Sequence, residues 1–246
     1  MPRFFVAPEQ IKETYIIIQD PQDIIHIKNV LRFKKGDKLC ISNGQGMDYE
    51  CIIETIDQNT ILTKILNVYK SDEEPAVHVT LFQGLPKVDK LEWIIQKATE
   101  LGVHHIVPMM TERTIIKIND PKKIKKKWER WNKISEAAAK QSGRSTIPLV
   151  STPISYQEAL QMGQRLDKAV IPYEKEIHTG LRTIFPLSAQ QTIGVFIGPE
   201  GGFTAEEITN AVDHDILPIT LGKRILRTET AGLAVLSILM YEIGEV

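Results

Sequence analysis

The sequence predicts an α/β protein: a largely parallel sheet with helices on its faces, preceded by a small β-rich unit. Three observations predict it. From Ala76 onward, short apolar runs alternate with stretches of helical periodicity, the pattern that builds a parallel sheet. Before Ser71, short strands are separated by turn residues such as Asn43-Gly44, Gly46 and Asn59, the pattern of a small barrel. Between the two lies Ser71-Asp72-Glu73-Glu74-Pro75, which is polar, acidic and ends in proline, and reads as a linker. The expected division is a β-barrel over 1–70, a linker over 71–75 and the α/β domain over 76–246.

In the first unit, residues 3–6 are apolar and aromatic and predict a strand. Asp20-Pro21 predicts a helix start, with Asp20 as N-cap and Pro21 at the first helical position. Ile24, Ile25, Ile27, Val30 and Leu31 then follow with helical spacing. Strands are expected over 38–42, 48–56 and 61–69. Cys40 stands between Leu39 and Ile41, so the first of these is expected to be buried on both faces.

In the second unit, 77–83 reads as a strand and 87–101 as an amphipathic helix carrying Leu91, Ile94, Ile95, Ala98 and Leu101, closed by Gly102. A strand over 105–109 leads to a long helix over 121–142. Its lysines go nearly all round the first turns, while Trp128, Trp131, Ile134, Ala138 and Gln141 form a less charged stripe. A strand from Pro148, a helix over 155–160 and a strand over 168–171 come next. Two buried strands, 193–197 and 217–220, complete the set.

The chain has 246 residues, 42% hydrophobic and 25% charged, ordinary for a globular protein of one large or two modest domains. No apolar run follows a basic start, and 231–241 is too short for a membrane span, so the expectation is a cytoplasmic protein without a membrane segment. Cys40 and Cys51 lack metal-ligand spacing, and the histidines are scattered, so no metal site is expected. The net charge of −1 hides an asymmetry: residues 115–144 carry ten basic and three acidic side chains. Such a belt suits an anionic partner such as RNA, although a solvated lysine-rich helix face explains it as well.

The last two strands run into loops of unusual composition. One is Gly198-Pro199-Glu200-Gly201-Gly202-Phe203-Thr204. The other runs from Leu221-Gly222-Lys223-Arg224 through Ile225-Leu226-Arg227-Thr228-Glu229-Thr230-Ala231 to Gly232. Glycine past a strand end lets backbone groups approach a ligand closely. Tight turns in an ordinary sheet are the alternative. The first loop lacks the Lys-Ser/Thr ending of a phosphate loop and is not a dinucleotide GxGxxG.

Together the two loops resemble those of the SPOUT methyltransferases, and most closely the ribosomal RNA small subunit methyltransferase E family. Pro2-Arg3-Phe4-Phe5, His26 to Arg32 with Gly36-Asp37, residues 96–103, Glu112-Arg113-Thr114, Glu136 to Arg144 and Tyr173-Glu174 extend the likeness over nearly the whole chain. The resemblance implies a PUA-like RNA-binding barrel, a SPOUT domain with a C-terminal trefoil knot, a homodimer, and transfer of methyl from S-adenosyl-L-methionine to N3 of a uridine in 16S rRNA of the small ribosomal subunit.

By the same resemblance, Gly198, Pro199, Glu200, Gly201 and Gly202 form one wall of the cofactor site. Leu221, Gly222, Ile225, Leu226, Thr230 and Ala231 form the other. Arg227 is expected to hold the base or its developing charge. Glu229 orients Arg227, binds substrate or accepts the proton; the ordinary alternative is an acid stabilised by a helix N-terminus. Arg3, Arg32, Lys34, Lys35, Lys97, Arg113 and Arg144 are the expected RNA contacts, although Arg32, Lys34 and Lys35 would also complement a helix C-terminus. The apolar helix after the second loop must be covered on several faces, by core or by a second subunit. Two other readings fit the motifs: a SPOUT enzyme acting on a ribose 2′-oxygen or another base, and a non-catalytic RNA-binding assembly factor.

Overall fold

A computed structural model describes residues 1–87, 90–115 and 120–245. The chain divides into two compact units, one of Met1–Glu74 with Ala139–Ile147, the other of Pro75–Ala138 with Pro148–Val246.

The first unit is built on β1 (Arg3–Phe5), β2 (Tyr15–Ile18), α1 (Pro21–Ile25), β3 (Lys38–Ser42), β4 (Met47–Ile56) and β5 (Ile61–Lys70). The strands form one sheet in the order β1-β3-β4-β5-β2, antiparallel except for β1 beside β3. Asp20 caps α1 as expected, its carboxylate accepting from the N–H groups of Gln22 and Asp23, with Pro21 opening the helix. The helix does not keep its 3.6-residue period. After Ile25 it widens, and Leu31 N–H reaches back to His26 O. Ile24 and Ile27 are therefore buried while Ile25 and Val30 face out. As expected of a strand covered on both faces, β3 is buried from Leu39 to Ser42.

The acidic stretch before Pro75 is not a free tether. Glu73 pairs with Arg3 at 2.7 Å, and Glu74 is held by Arg144 and by the N–H groups of Ser145 and Thr146 at 2.9 and 3.0 Å. Its acidity serves these pairings within the first unit. The sequence also hid β2. Its three isoleucines become a strand only by pairing with β5, more than forty residues away.

The second unit carries β6 (His78–Gly84), α2 (Lys90–Glu100), β7 (His105–Met110), α3 (Pro121–Ser142), β8 (Leu149–Val150), β9 (Ile154–Ser155) and α4 (Tyr156–Gly163). Then follow β10 (Lys168–Pro172), β11 (Thr192–Ile197), α5 (Ala205–Val212), β12 (Leu217–Ile219) and α6 (Thr228–Glu242). Part of the helix expected over 87–101, residues 88 and 89, lies outside the described residues. The sheet is parallel throughout, in the order β12-β10-β11-β6-β7-β8, with β9 also paired to β7.

Two-residue alternation splits this sheet's core into two layers. Val79 and Leu81 of β6, with Ile193, Val195 and Ile197 of β11, pack with α2 and α6. Phe82 and Phe196, adjacent in register and stacked at 4.2 Å, pack on the other face with α4 and α5. In α3, Trp131 and Ala138 are buried as the less charged stripe predicts, but Gln141 is exposed. In α6, Val235, Leu236, Leu239 and Met240 are buried, whereas Tyr241 is 70% exposed.

Candidate active site

Parallel strands present their C-terminal ends along one edge, where open α/β sheets bind ligands. The neighbours β12, β10 and β11 each end in a loop at that edge. Together these loops enclose a cavity of ≈ 590 Å³, within the range of small-molecule sites. Gly198, Pro199, Glu200, Gly201 and Gly202 line it, as do Leu221, Gly222, Ile225, Leu226, Arg227 and Ala231. One expected cofactor residue is not brought there. Helix α6 starts at Thr228, inside the stretch read as loop. Arg227 and Ala231, four apart, share the face towards the cavity, while Thr230 is exposed and outside the lining.

The first wall is braced from several sides. Thr204 caps α5 in a reciprocal box with Glu207, an arrangement worth about 1 kcal/mol. The buried Glu207 carboxylate also accepts from Glu112 N–H at 2.8 Å, joining the loop after β7 to this wall. From that loop Arg113, exposed, donates to Gly201 O at 2.7 Å. Its Cβ lies 3.1 Å from where a Cβ on Gly201 would stand, so Arg113 occupies the space that the glycine vacates. Gly222 differs: nothing lies within 4 Å, and glycine is needed there for φ +98°.

Glu229 lies outside the lining but is tied to it. Lys90, at the start of α2, bridges Glu200 at 3.2 Å and Glu229 at 3.3 Å. Burial alone would raise the pKa of Glu200. Backbone N–H donors, including that of Lys87, and the Lys90 ammonium outweigh it, so Glu200 is held below the usual carboxylate range. Lys90, Lys223, Arg224 and Arg227 give the cavity four cations against two carboxylates, Glu174 and Glu200. That balance favours an anionic partner at the mouth.

The expected RNA contacts separate into two groups. Arg32, Lys34 and Lys35 are exposed on the first unit, and Lys97 is half-buried beside Glu100. Arg3 and Arg144 are corrections. Arg3 has only 8% of its side chain exposed and pairs with Asp48 at 2.7 Å, and Arg144 is buried against Glu74. Both are internal braces. A buried arginine of this kind costs several kcal/mol to leave unpaired, so the carboxylates beside it account for its placement without RNA.

Sequence reasoning missed Lys90, Thr228 and Gln83. Lys90 carried no motif, and Thr228 and Gln83 matter only through each other. Glu174 had a signal: like the two glycine loops, it follows the end of a buried strand. Among the described residues no cluster of His, Cys, Asp or Glu could hold a metal ion. No helix among them is long and apolar enough to cross a membrane.

Residues 72–240 match the family profile of an RNA methyltransferase domain, and 18–66 match that of an RNA methyltransferase PUA domain. The Ribosomal RNA small subunit methyltransferase E of Bacillus subtilis is 36% identical over 98% of this chain and 97% of its own length. The chain belongs to the ribosomal RNA small subunit methyltransferase E family. Within this family the protein of that name from Mesomycoplasma hyopneumoniae is 33% identical over 96% of this chain and 98% of its own. A crystal structure of the Neisseria gonorrhoeae member, bound to S-adenosyl methionine, superposes with a TM-score of 0.83 at 31% identity, covering 98% of this chain and 97% of that one. The family expectation and the α/β fold behind a PUA domain are thus borne out, and the chain is an RNA methyltransferase.

Proposed function

We propose that this chain transfers a methyl group from S-adenosylmethionine to N3 of a uridine in 16S rRNA. The observation that carries the proposal is the cavity formed by the two glycine-bearing loops, with Arg227 on its lining and Glu229 tied to it through Lys90. Its size suits a nucleoside-sized molecule, and Gly198 to Gly202 with Leu221 to Leu226 line it. These residues would hold the cofactor, which when bound supplies a methyl group on a positively charged sulfur.

The chain's own residues act on the acceptor. Uridine N3 carries a proton and becomes a good nucleophile only when that proton leaves. In this reading Arg227 holds the base and favours its anionic form through charge. Glu229 orients the acceptor side or takes the proton, and Lys90 keeps its carboxylate in place. Arg32, Lys34, Lys35 and Arg113 offer phosphate contacts. These help to offset the few kcal/mol needed to turn a paired base out of its stack.

The protein acts in the cytoplasm as a homodimer in this reading. The exposure of the apolar Ile238 and of Tyr241 on α6 supports a second subunit there. Mass spectrometry of rRNA nucleosides from a strain lacking this protein tests the target. N3-methyluridine should disappear from 16S rRNA; its persistence with loss of another methylated nucleoside would move the activity to a different atom.

A further inference from the structure

Gln83, near the end of β6, is fully buried and lies outside the cavity lining. Its amide nitrogen donates to Gly84 O at 3.0 Å and to Thr228 Oγ1 at 2.9 Å. The Thr228 hydroxyl donates in turn to Gly198 O at 2.6 Å. Chemistry sets the direction of this chain. A carbonyl only accepts, so the single Thr228 proton goes to Gly198, and the Thr228 oxygen accepts from Gln83. Both protons of the Gln83 NH₂ are thereby used. The amide oxygen has no hydrogen-bond partner among the described residues, so Gln83 is held through its donors.

The three anchored points are the parts the site must keep in register. Gly198 opens the first wall. Thr228 begins α6 and directly follows Arg227. Gly84 is packed so closely on that wall that a Cβ there would stand 2.6 Å from Pro199 N. We propose that Gln83 is a positioning residue for methyl transfer, acting through the Thr228 hydroxyl to fix Arg227 relative to the cofactor wall. The inference rests on the function proposed above. A residue needed only for packing could be replaced by an apolar one of similar volume; a residue needed for its donors could not.

The test uses the full chain with S-adenosylmethionine and unmethylated small-subunit RNA. The variants are Gln83→Met, Thr228→Val, the pair combined, and Thr228→Ser. Gln83→Met and Thr228→Val should each lower kcat by about 10- to 100-fold, as misplacement of a reacting group does. The KM for S-adenosylmethionine should stay close to wild type, and the thermal midpoint should fall by only about a few degrees, as one buried group left unpaired costs. The double variant should be no worse than the poorer single one, because both remove one device. Thr228→Ser, which keeps the hydroxyl, should retain activity within about threefold of wild type. Losses that follow the thermal midpoint, losses that multiply in the double variant, or a serine as poor as valine would each overturn the inference. A wild-type chain that methylates another atom overturns the N3 reading, while the same variants then report on that product. A wild type that transfers no methyl group overturns both.

Discussion

The two walls of the cavity are built in opposite ways. The loop from Gly198 to Thr204 is tied at four of its seven residues: Gly198 O to Thr228, Gly201 O to Arg113, Glu200 to Lys87 and Lys90, Thr204 N–H to Glu207. Among the described residues, the stretch from Leu221 to Leu226 is hydrogen-bonded through one N–H, that of Gly222 to Thr220 Oγ1 at 3.2 Å, and rests on the core only through Leu221 and Leu226. Ile225 stands 88% exposed. The first wall is prebuilt. In the proposed reading the second gains its contacts from the ligand, and binding carries the cost of ordering it. In that same reading, recognition in place beforehand belongs to the first wall, and closure over the ligand to the second. Arg227 stands at the end of the second wall, where α6 begins.

The largest effect that would sharpen this contrast is at Arg227. Arg227→Ala should slow methyl transfer by about 100-fold or more, as loss of a charge-stabilising donor does. Cofactor affinity measured by calorimetry should stay within about threefold of wild type. An equal loss of both would put Arg227 in the cofactor wall instead.

The glycines come next. Gly201→Val forces a branched side chain against Arg113 and should cost about 2 kcal/mol of stability by overpacking a braced wall. Gly222→Val meets no neighbour and should cost about 1 to 2 kcal/mol through its positive φ alone. Thermal unfolding measures both costs. Calorimetry should show weaker cofactor binding in each, and the contrast breaks if Gly222→Val proves the more destabilising.

Ile225→Ser should leave stability within about 0.5 kcal/mol, because the side chain is already in water. If the second wall closes on the ligand, the same change should weaken cofactor binding by about three- to tenfold. Unchanged affinity would mean that Ile225 stays in solvent in the complex.

The smallest effect is electrostatic and belongs to the first wall. The folded pKa of Glu200 lies below its unfolded value of about 4.3. Its contribution to stability is therefore complete above that value and is lost as pH falls through the folded pKa. Because Glu200 is largely accessible, the loss should be under about 1 kcal/mol. Glu200→Gln should flatten the acid limb of the stability curve by that amount, as followed by denaturant unfolding at stepped pH.

Much of the α/β unit could be read from the chain because its signals are local. Apolar runs such as 193–197 lie close to the observed strands, and the composition of the two glycine loops pointed to the cavity edge. What could not be read depends on partners far along the chain. Arg3 and Arg144 looked like RNA contacts because a charge in sequence does not display Asp48, Glu73 or Glu74 beside it. Gln83 and Thr228 are 145 residues apart, and neither has a motif that names the other. Thr230 was misplaced because the start of α6 depends on Thr228, which has no conventional capping signal before it; Arg227 stands at the N-cap without a side-chain cap.

The most direct test of the division between the walls is a crystal structure of this chain with S-adenosylmethionine bound. The ligand should lie between Gly198 to Gly202 and Leu221 to Leu226, with Ile225 packed on it and the Arg227 side chain on the side of the methyl group. A ligand seated away from these two loops, or one bound between them with Arg227 directed away from the methyl group, would contradict it.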